Sequence, residues 1–285
     1  MEPVTDLNHF SDLIRGVKTG EQKLVSNCYL LPSEIIEVTQ ARKLLWEIND
    51  CGIFFLCEKL DFFYLYFFLI ENRLPQLTTN FKNLNKPVII DFVYSNSNKA
   101  QAFFYLEEKW KESGFSFYKR YRQMSREISS NETSSLLEDE RIIGDEKFII
   151  TYGQPSYASQ IQNLWRQSLD ILSMSLPGEN DLLIFLENKQ IFCVLNKRNQ
   201  VVAAFQLQQF GKVGMIKHVA VHERYRRLGL AKAMLQTSFS INKNIKKYTL
   251  WVDENNISAV TFYLNFGFCF TDKESSQLFL KSESI

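Results

Sequence analysis

Apolar residues recur along this chain in two rhythms, one of period two and one of helical period, and the rhythms predict its elements. In the second half, residues 148–152 alternate as a strand. Ile161, Trp165, Leu169 and Leu172 return at helical spacing, which predicts a helix over 156–172. Pro177 and Gly178 interrupt it, and a second helix is expected over 180–188. Residues 191–195 and 201–210 read as a hairpin, and 213–221 as the next strand. A helix over 230–241 places Leu230, Met234, Thr237 and Ile241 on one side. Residues 248–252 form a short strand, and 256–266 a helix with Ala259, Phe262 and Phe266 inward. Two last strands are expected near 268–271 and 277–281.

The first half follows a similar plan. Its pattern predicts a helix over 8–17, a strand over 24–30 and a helix over 34–48. A hairpin of 52–59 and 62–70 follows, then a strand over 88–94, a helix over 99–113 and a strand over 117–122. Trp110-x-x-x-Gly114-Phe115 parallels Tyr263-x-x-x-Gly267-Phe268. The halves therefore read as a repeat, with an unrelated accessory α/β domain as the alternative for the first. Residues 127–146, rich in Ser, Asp and Glu, read as a linker or surface excursion. The expected domains are 1–145 and 146–285, which suits a chain of 285 residues.

Composition narrows the class of partner. A net charge of +1 favours neither nucleic acid nor an acidic membrane surface. The greasiest run, 62–70, is nine residues long. A membrane helix needs about 20, so a buried aromatic strand is expected instead. Five cysteines without a C-x-x-C pair suggest reduced thiols, not a disulfide frame or zinc site. With three histidines, no metal centre is expected. The first residues lack the features of a signal peptide, so a cytoplasmic location is expected.

The chemistry concentrates in two segments. Val219-Ala-Val-His-Glu-Arg-Tyr-Arg-Arg-Leu-Gly-Leu-Ala-Lys passes from strand through a basic turn into a helix. Backbone N–H groups at such a helix start lack partners and attract anions, phosphate above all. Gly229 lets a ligand approach the backbone, and Arg226, Arg227 and Lys232 add positive charge. The turn is neither a Walker loop nor a dinucleotide fingerprint. The second segment, 250–268, carries Asn256, Ala259, Phe262, Tyr263, Gly267 and Phe268.

Together these segments resemble the GCN5-related N-acetyltransferase (GNAT) superfamily. Its acyl-CoA loop is Arg/Gln-x-x-Gly-x-Gly/Ala, and its later helix reads Asn-x-x-Ala-x-x-Phe-Tyr-x-x-x-Gly-Phe. The resemblance spans roughly residues 147–285. It implies an α+β fold with a mixed, mostly antiparallel sheet flanked by helices, here in two similar tandem domains. It also implies acetyl-CoA as cosubstrate, no metal, and direct attack by a primary amine on the thioester.

By that resemblance, Val219, Ala220 and Val221 would bond the pantetheine arm through their backbones. The N–H groups of Arg227, Leu228, Gly229, Leu230, Ala231 and Lys232 would hold the pyrophosphate. Asn256 would bond the arm, its plainer role being a helix cap. Tyr263 would protonate the leaving thiolate, its plainer role being core packing. Some family members place a Glu where this chain has Trp251. The base therefore falls to His218, whose side chain reads as sharing a face with Ile216 and Ala220, or to water. Asp253 and Glu254 are weaker candidates. Cys193 and Cys269 read as structural thiols, not acyl acceptors. The first half has no such loop between its strands and is not expected to bind CoA. A second class of function stays open: a regulatory module that binds acyl-CoA without turnover.

Overall fold

A computed structural model describes residues 1–18, 22–77, 81–95, 100–128, 139–143 and 146–282. The chain divides into two units, Met1–Tyr121 with Asp272–Ile285, and Arg122–Thr271. The expected domains 1–145 and 146–285 therefore differ from the units found. Most of the last strand of the chain, from Asp272, lies in the first unit.

In that unit the elements are β1 (Glu2–Pro3), α1 (Leu7–Val17), β2 (Leu24–Ser26), α2 (Pro32–Gln40), β3 (Leu44–Asn49), β4 (Gly52–Glu58), β5 (Phe63–Ile70), β6 (Val88–Ser95), α3 (Ala100–Glu112) and the start of β7 (Ser116–Glu127). Asp6 caps α1 by accepting from the His9 N–H at 2.9 Å. β3, β4 and β5 form an antiparallel meander, and β5 and β6 run parallel. The expected aromatic strand is β5, and seven of its eight residues are buried. Its Phe67 joins Phe54, Phe92 and Trp110 in a core beneath α3.

The expected helix over 34–48 is corrected. α2 stops at Gln40, and Leu44 starts a strand. Arg42 takes a left-handed φ of 53°, and the Lys43 N–H closes back on the Val38 carbonyl at 2.8 Å. This is a helix-ending motif usually marked by glycine. Without that mark, helical periodicity reads straight through the break.

The second unit holds the end of β7, β8 (Asp139–Ile143), β9 (Glu146–Tyr152), α4 (Ala158–Ser168), α5 (Glu179–Glu187), β10 (Ile191–Asn196), β11 (Val201–Phe210), β12 (Val213–Val221), α6 (Leu230–Ile241), β13 (Lys247–Asp253), α7 (Ile257–Asn265) and the start of β14 (Cys269–Leu280). Its strand order is β8-β9-β10-β11-β12-β13-β7. Neighbours from β8 to β12 are antiparallel, while β12 and β13 are parallel. Helices flank the sheet, as the α+β expectation requires. Met234, Phe239, Tyr248 and Tyr263 belong to one core cluster, built with α6 and α7. Ile161, Trp165, Leu186 and Cys193 belong to another, built with α4 and α5.

The two strands expected near 268–271 and 277–281 are one continuous strand, β14. From Asp272 onward it belongs to the first unit and pairs antiparallel with β6, from Lys273↔Ser95 to Leu280↔Val88. Conversely, β7 follows α3 of the first unit, yet from Arg122 it belongs to the second, beside β13. Each unit is thus completed by a strand that follows the other unit's last helix. Within the expected linker, β7 reaches Glu127 and β8 is a strand; 129–138 and 144–145 lie outside the described residues. Among the described residues, no helix is long and apolar enough to cross a membrane.

Candidate functional site

The site begins where β12 and β13 part. They register at four pairs, from Val213↔Lys247 to Ile216↔Leu250, and both then run on without further pairing to each other. A bulge accompanies the parting. The β11–β12 register slips between Ala204 and Gln206, and His218 takes a φ of 54°. An extra residue of this kind bends its strand and increases its twist. Histidine tolerates positive φ better than most residue types.

The bulge also corrects the expected facing of His218. Ile216 packs in the cluster with α6 and α7, whereas Ala220 packs in the cluster with α4 and α5. His218 packs against Trp165 of α4, the rings tilted at 51° with centroids 5.2 Å apart. It is 9% exposed, and its Nδ1 has no hydrogen-bond partner among the described residues. Burial, helped by the Lys217 charge, pushes its pKa down to about 3. The imidazole is therefore neutral at pH 7 and a weak base.

The basic turn follows β12. Arg227 has φ 64° and Gly229 φ 74°, both left-handed. The first helical bond of α6 runs from the Ala233 N–H to the Gly229 carbonyl at 3.0 Å. Among the described residues, the N–H groups of Arg227, Leu228, Gly229, Leu230, Ala231 and Lys232 have no backbone partner. Successive N–H groups in this geometry form an anion cradle at the positive end of a helix. A Cβ on Gly229 would meet no heavy atom within 4 Å, so the cradle is open to a ligand. Arg226 holds the turn, its Nε donating to the Val221 carbonyl at 3.1 Å.

β13 leads into α7. Because β12 and β13 are parallel, the turn after one and the helix start after the other lie at the same end of the sheet, beyond the C-terminal ends of the two strands. Asn256 caps α7, its Oδ1 accepting from the Ala259 N–H at 3.1 Å. The plainer reading of Asn256 therefore holds, and its NH₂ can still donate. Tyr263 is 8% exposed and packs edge-on against Phe262 and Phe268. No described residue hydrogen-bonds its hydroxyl. Burial raises its pKa well above the usual phenol range, so the hydroxyl keeps its proton.

Val219, Val221 and Tyr263 thus share the cluster on the α6–α7 side, while His218 faces the α4–α5 side. Trp165, which sets the environment of His218, was read from the sequence only as a core residue. Contact across a sheet face leaves no local signature. Cys193 is buried with its pKa pushed up to about 12, as befits an inert thiol. Cys269 is exposed.

Residues 158–268 match the family model described as acetyltransferase (GNAT) family. No curated protein sequence matches the chain. Among solved structures, a GCN5-related N-acetyltransferase from Sphaerobacter thermophilus is 11% identical, with a TM-score of 0.53 over 85% of this chain and 84% of that one. A Drosophila protein is 11% identical, with a TM-score of 0.52 over 80% of this chain and 73% of that one. A GCN5-related glucosamine N-acetyltransferase region of a fungal multi-domain GH3 β-N-acetylglucosaminidase is 11% identical, at 0.53 over 80% and 31%. At these identities the likeness is one of fold, and it extends beyond the second unit.

Proposed function

We propose, with residues 158–268 a domain of the acetyltransferase (GNAT) family, that the second unit binds acetyl-CoA and transfers its acetyl group to a primary amine. One observation carries this reading: the split between β12 and β13 adjoins a turn with six N–H groups that have no backbone partner among the described residues. A diphosphate fits that turn, since the N–H groups and the charges of Arg226, Arg227 and Lys232 would hold it. The parted edge of β12 offers the backbones of Val219, Ala220 and Val221 to an arm that can donate and accept hydrogen bonds. An N–H there would polarise the thioester carbonyl.

Acetyl-CoA supplies the acetyl group as a thioester with a good leaving group. Tyr263 holds a proton at neutral pH that it would give to the departing thiolate, although burial in the free protein makes it a weaker acid than an exposed phenol. The NH₂ of Asn256 would bond the arm. A lysine-type ammonium, with pKa about 10, must lose a proton before it attacks. The burial of His218 and its weak basicity support water as the acceptor of that proton.

A second reading is favoured by the same facts. With Trp251 where some relatives carry Glu, and His218 buried, the unit would bind acyl-CoA as a regulatory module without turnover. Calorimetric titration with acetyl-CoA tests the shared premise. Wild type should bind, and Gly229→Glu, which sets a carboxylate in the anion cradle, should not. Absence of wild-type binding would sink both readings. Thiol release on adding amines then separates enzyme from module.

A further inference from the structure

The first unit has a split of its own, and its own chain lies in it. β5 and β6 register at two pairs, Phe63↔Val88 and Tyr64↔Ile89. Beyond them, β5 runs on to Ile70 and β6 to Ser95. The edge of β5 that β6 leaves is taken by β2, whose Leu24, Val25 and Ser26 pair antiparallel with Ile70, Leu69 and Phe68. β4 holds the other edge of the same residues, through Ile53↔Phe68 and Gly52↔Leu69. β2 therefore enters on the side where β6 sits beside Phe63 and Tyr64.

Asn27 closes the rest of the gap. Its Nδ2 donates to the Leu65 carbonyl on β5 at 3.0 Å and to the Asp91 carbonyl on β6 at 3.3 Å. Its Oδ1 accepts from the Phe67 N–H at 2.9 Å. The residue is 6% exposed. One carboxamide thus bridges both strands and satisfies three buried backbone groups that parting strands leave without partners. Beside it, the Asp91 carboxylate accepts from the Tyr64 hydroxyl at 2.7 Å and from the Ser275 hydroxyl. Between β5 and β6 the described residues hold only the short turns Glu71–Gln76 and Phe81–Asn83, not a helix like α6.

We infer that segment 24–27 is a built-in occupant of the first unit's split, a peptide standing where the second unit receives the amide-bearing arm of acyl-CoA, so that each chain takes one acyl-CoA. The inference rests on reading the β12–β13 split as the cosubstrate's. Its chemistry is direct. The acyl-CoA arm carries secondary amides, which donate and accept as the backbone of β2 and the side chain of Asn27 do here. A strand edge already satisfied from within gains nothing by binding the arm.

Residue-resolved hydrogen exchange on the full chain, with and without acetyl-CoA, together with titration stoichiometry, tests this. The Phe67 amide should exchange slowly without ligand and be unaffected by it. Ligand-induced protection should fall in the second unit, at one equivalent per chain. Asn27→Ala should speed exchange of the Phe67 amide roughly tenfold to a hundredfold, as expected for a lost buried hydrogen bond. Fast exchange of that amide in the free protein, its protection by acetyl-CoA, or two equivalents bound would overturn the inference. If acetyl-CoA does not bind at all, the proposed function falls, while exchange in the free protein still decides whether the segment occupies the split. If the variant fails to fold, the wild-type readouts suffice.

Discussion

The two splits are built alike and finished differently. In each unit a parallel strand pair registers briefly and then parts, after Tyr64↔Ile89 in one and after Ile216↔Leu250 in the other. The helix that follows also ends in the same way. The Phe115 N–H bonds the Trp110 carbonyl at 3.1 Å, and the Phe268 N–H bonds the Tyr263 carbonyl at 2.9 Å. Gly114 and Gly267 supply the left-handed residue between, with φ of 104° and 85°. Both are glycine-ended helices closed by an aromatic contact. The difference lies in what fills them. The first split holds β2 and Asn27, and its helix offers a fully buried Trp110. The second adjoins an open N–H cradle, and its helix offers Tyr263, whose hydroxyl has no hydrogen-bond partner among the described residues. A shared scaffold therefore says little about activity until its strand edges and that one helical position are read.

Substitutions at the paired helical position test this contrast most strongly. Trp110→Ala should cost about 3–5 kcal/mol of stability, the usual penalty for emptying a buried aromatic site. Chemical denaturation would measure it. Acetyl-CoA affinity, measured where the variant stays folded, should hardly change. Tyr263→Phe should do the reverse, lowering the rate of thiol release about a hundredfold while acetyl-CoA still binds as before. An unchanged rate would mean that the position serves packing in both units.

Acid should separate the units next. The folded pKa of His218 lies near 3, below its ordinary value of 6.5, so its contribution to stability is intact above pH 6.5 and is lost as pH falls toward 3. Linkage puts the loss at about 2 kcal/mol between pH 6.5 and 5. His218→Asn, which tolerates the positive φ and does not titrate, should flatten that part of the stability profile. Asp91 in the first unit behaves oppositely. Burial raises its pKa, so its contribution is lost as pH rises through the folded value, not as pH falls. Hydrogen exchange at mildly acid pH should therefore show the second unit loosening first; equal loosening would refute the assignment.

The smallest effect is expected at Gly229→Ala. A Cβ there meets nothing within 4 Å, so the cost is backbone strain alone, about 1 kcal/mol in thermal or chemical unfolding. Gly52→Ala in the first unit should cost more, because its Cβ would fall 2.2 Å from the Phe68 carbonyl oxygen.

Most elements of the second unit were legible as sequence, because period-two strands there alternate cleanly with helices whose starts carry Gly229 or Asn256. The anion cradle was legible too, since a strand, a glycine turn and a helix start are all local. The β3 strand was not, because Arg42 makes the left-handed turn without a glycine. Nor was the facing of His218. It depends on a bulge that only the β11–β12 register reveals, and the unit's core decides which side the imidazole meets.

The amino-acid order alone therefore left the first half open between a repeat and an unrelated domain, but it determined the buried aromatic strand β5, the position of the basic turn before α6 and Tyr263 as the residue to test. These follow from periodicity and from residues acting on near neighbours. Tertiary structure alone decided that β7 and β14 complete each other's units, that segment 24–27 enters the β5–β6 split, and that His218 is buried on Trp165. Each is a pairing between residues far apart in sequence. Such pairings are chosen by which unsatisfied strand edge and which apolar face remain to be covered once the local elements have formed.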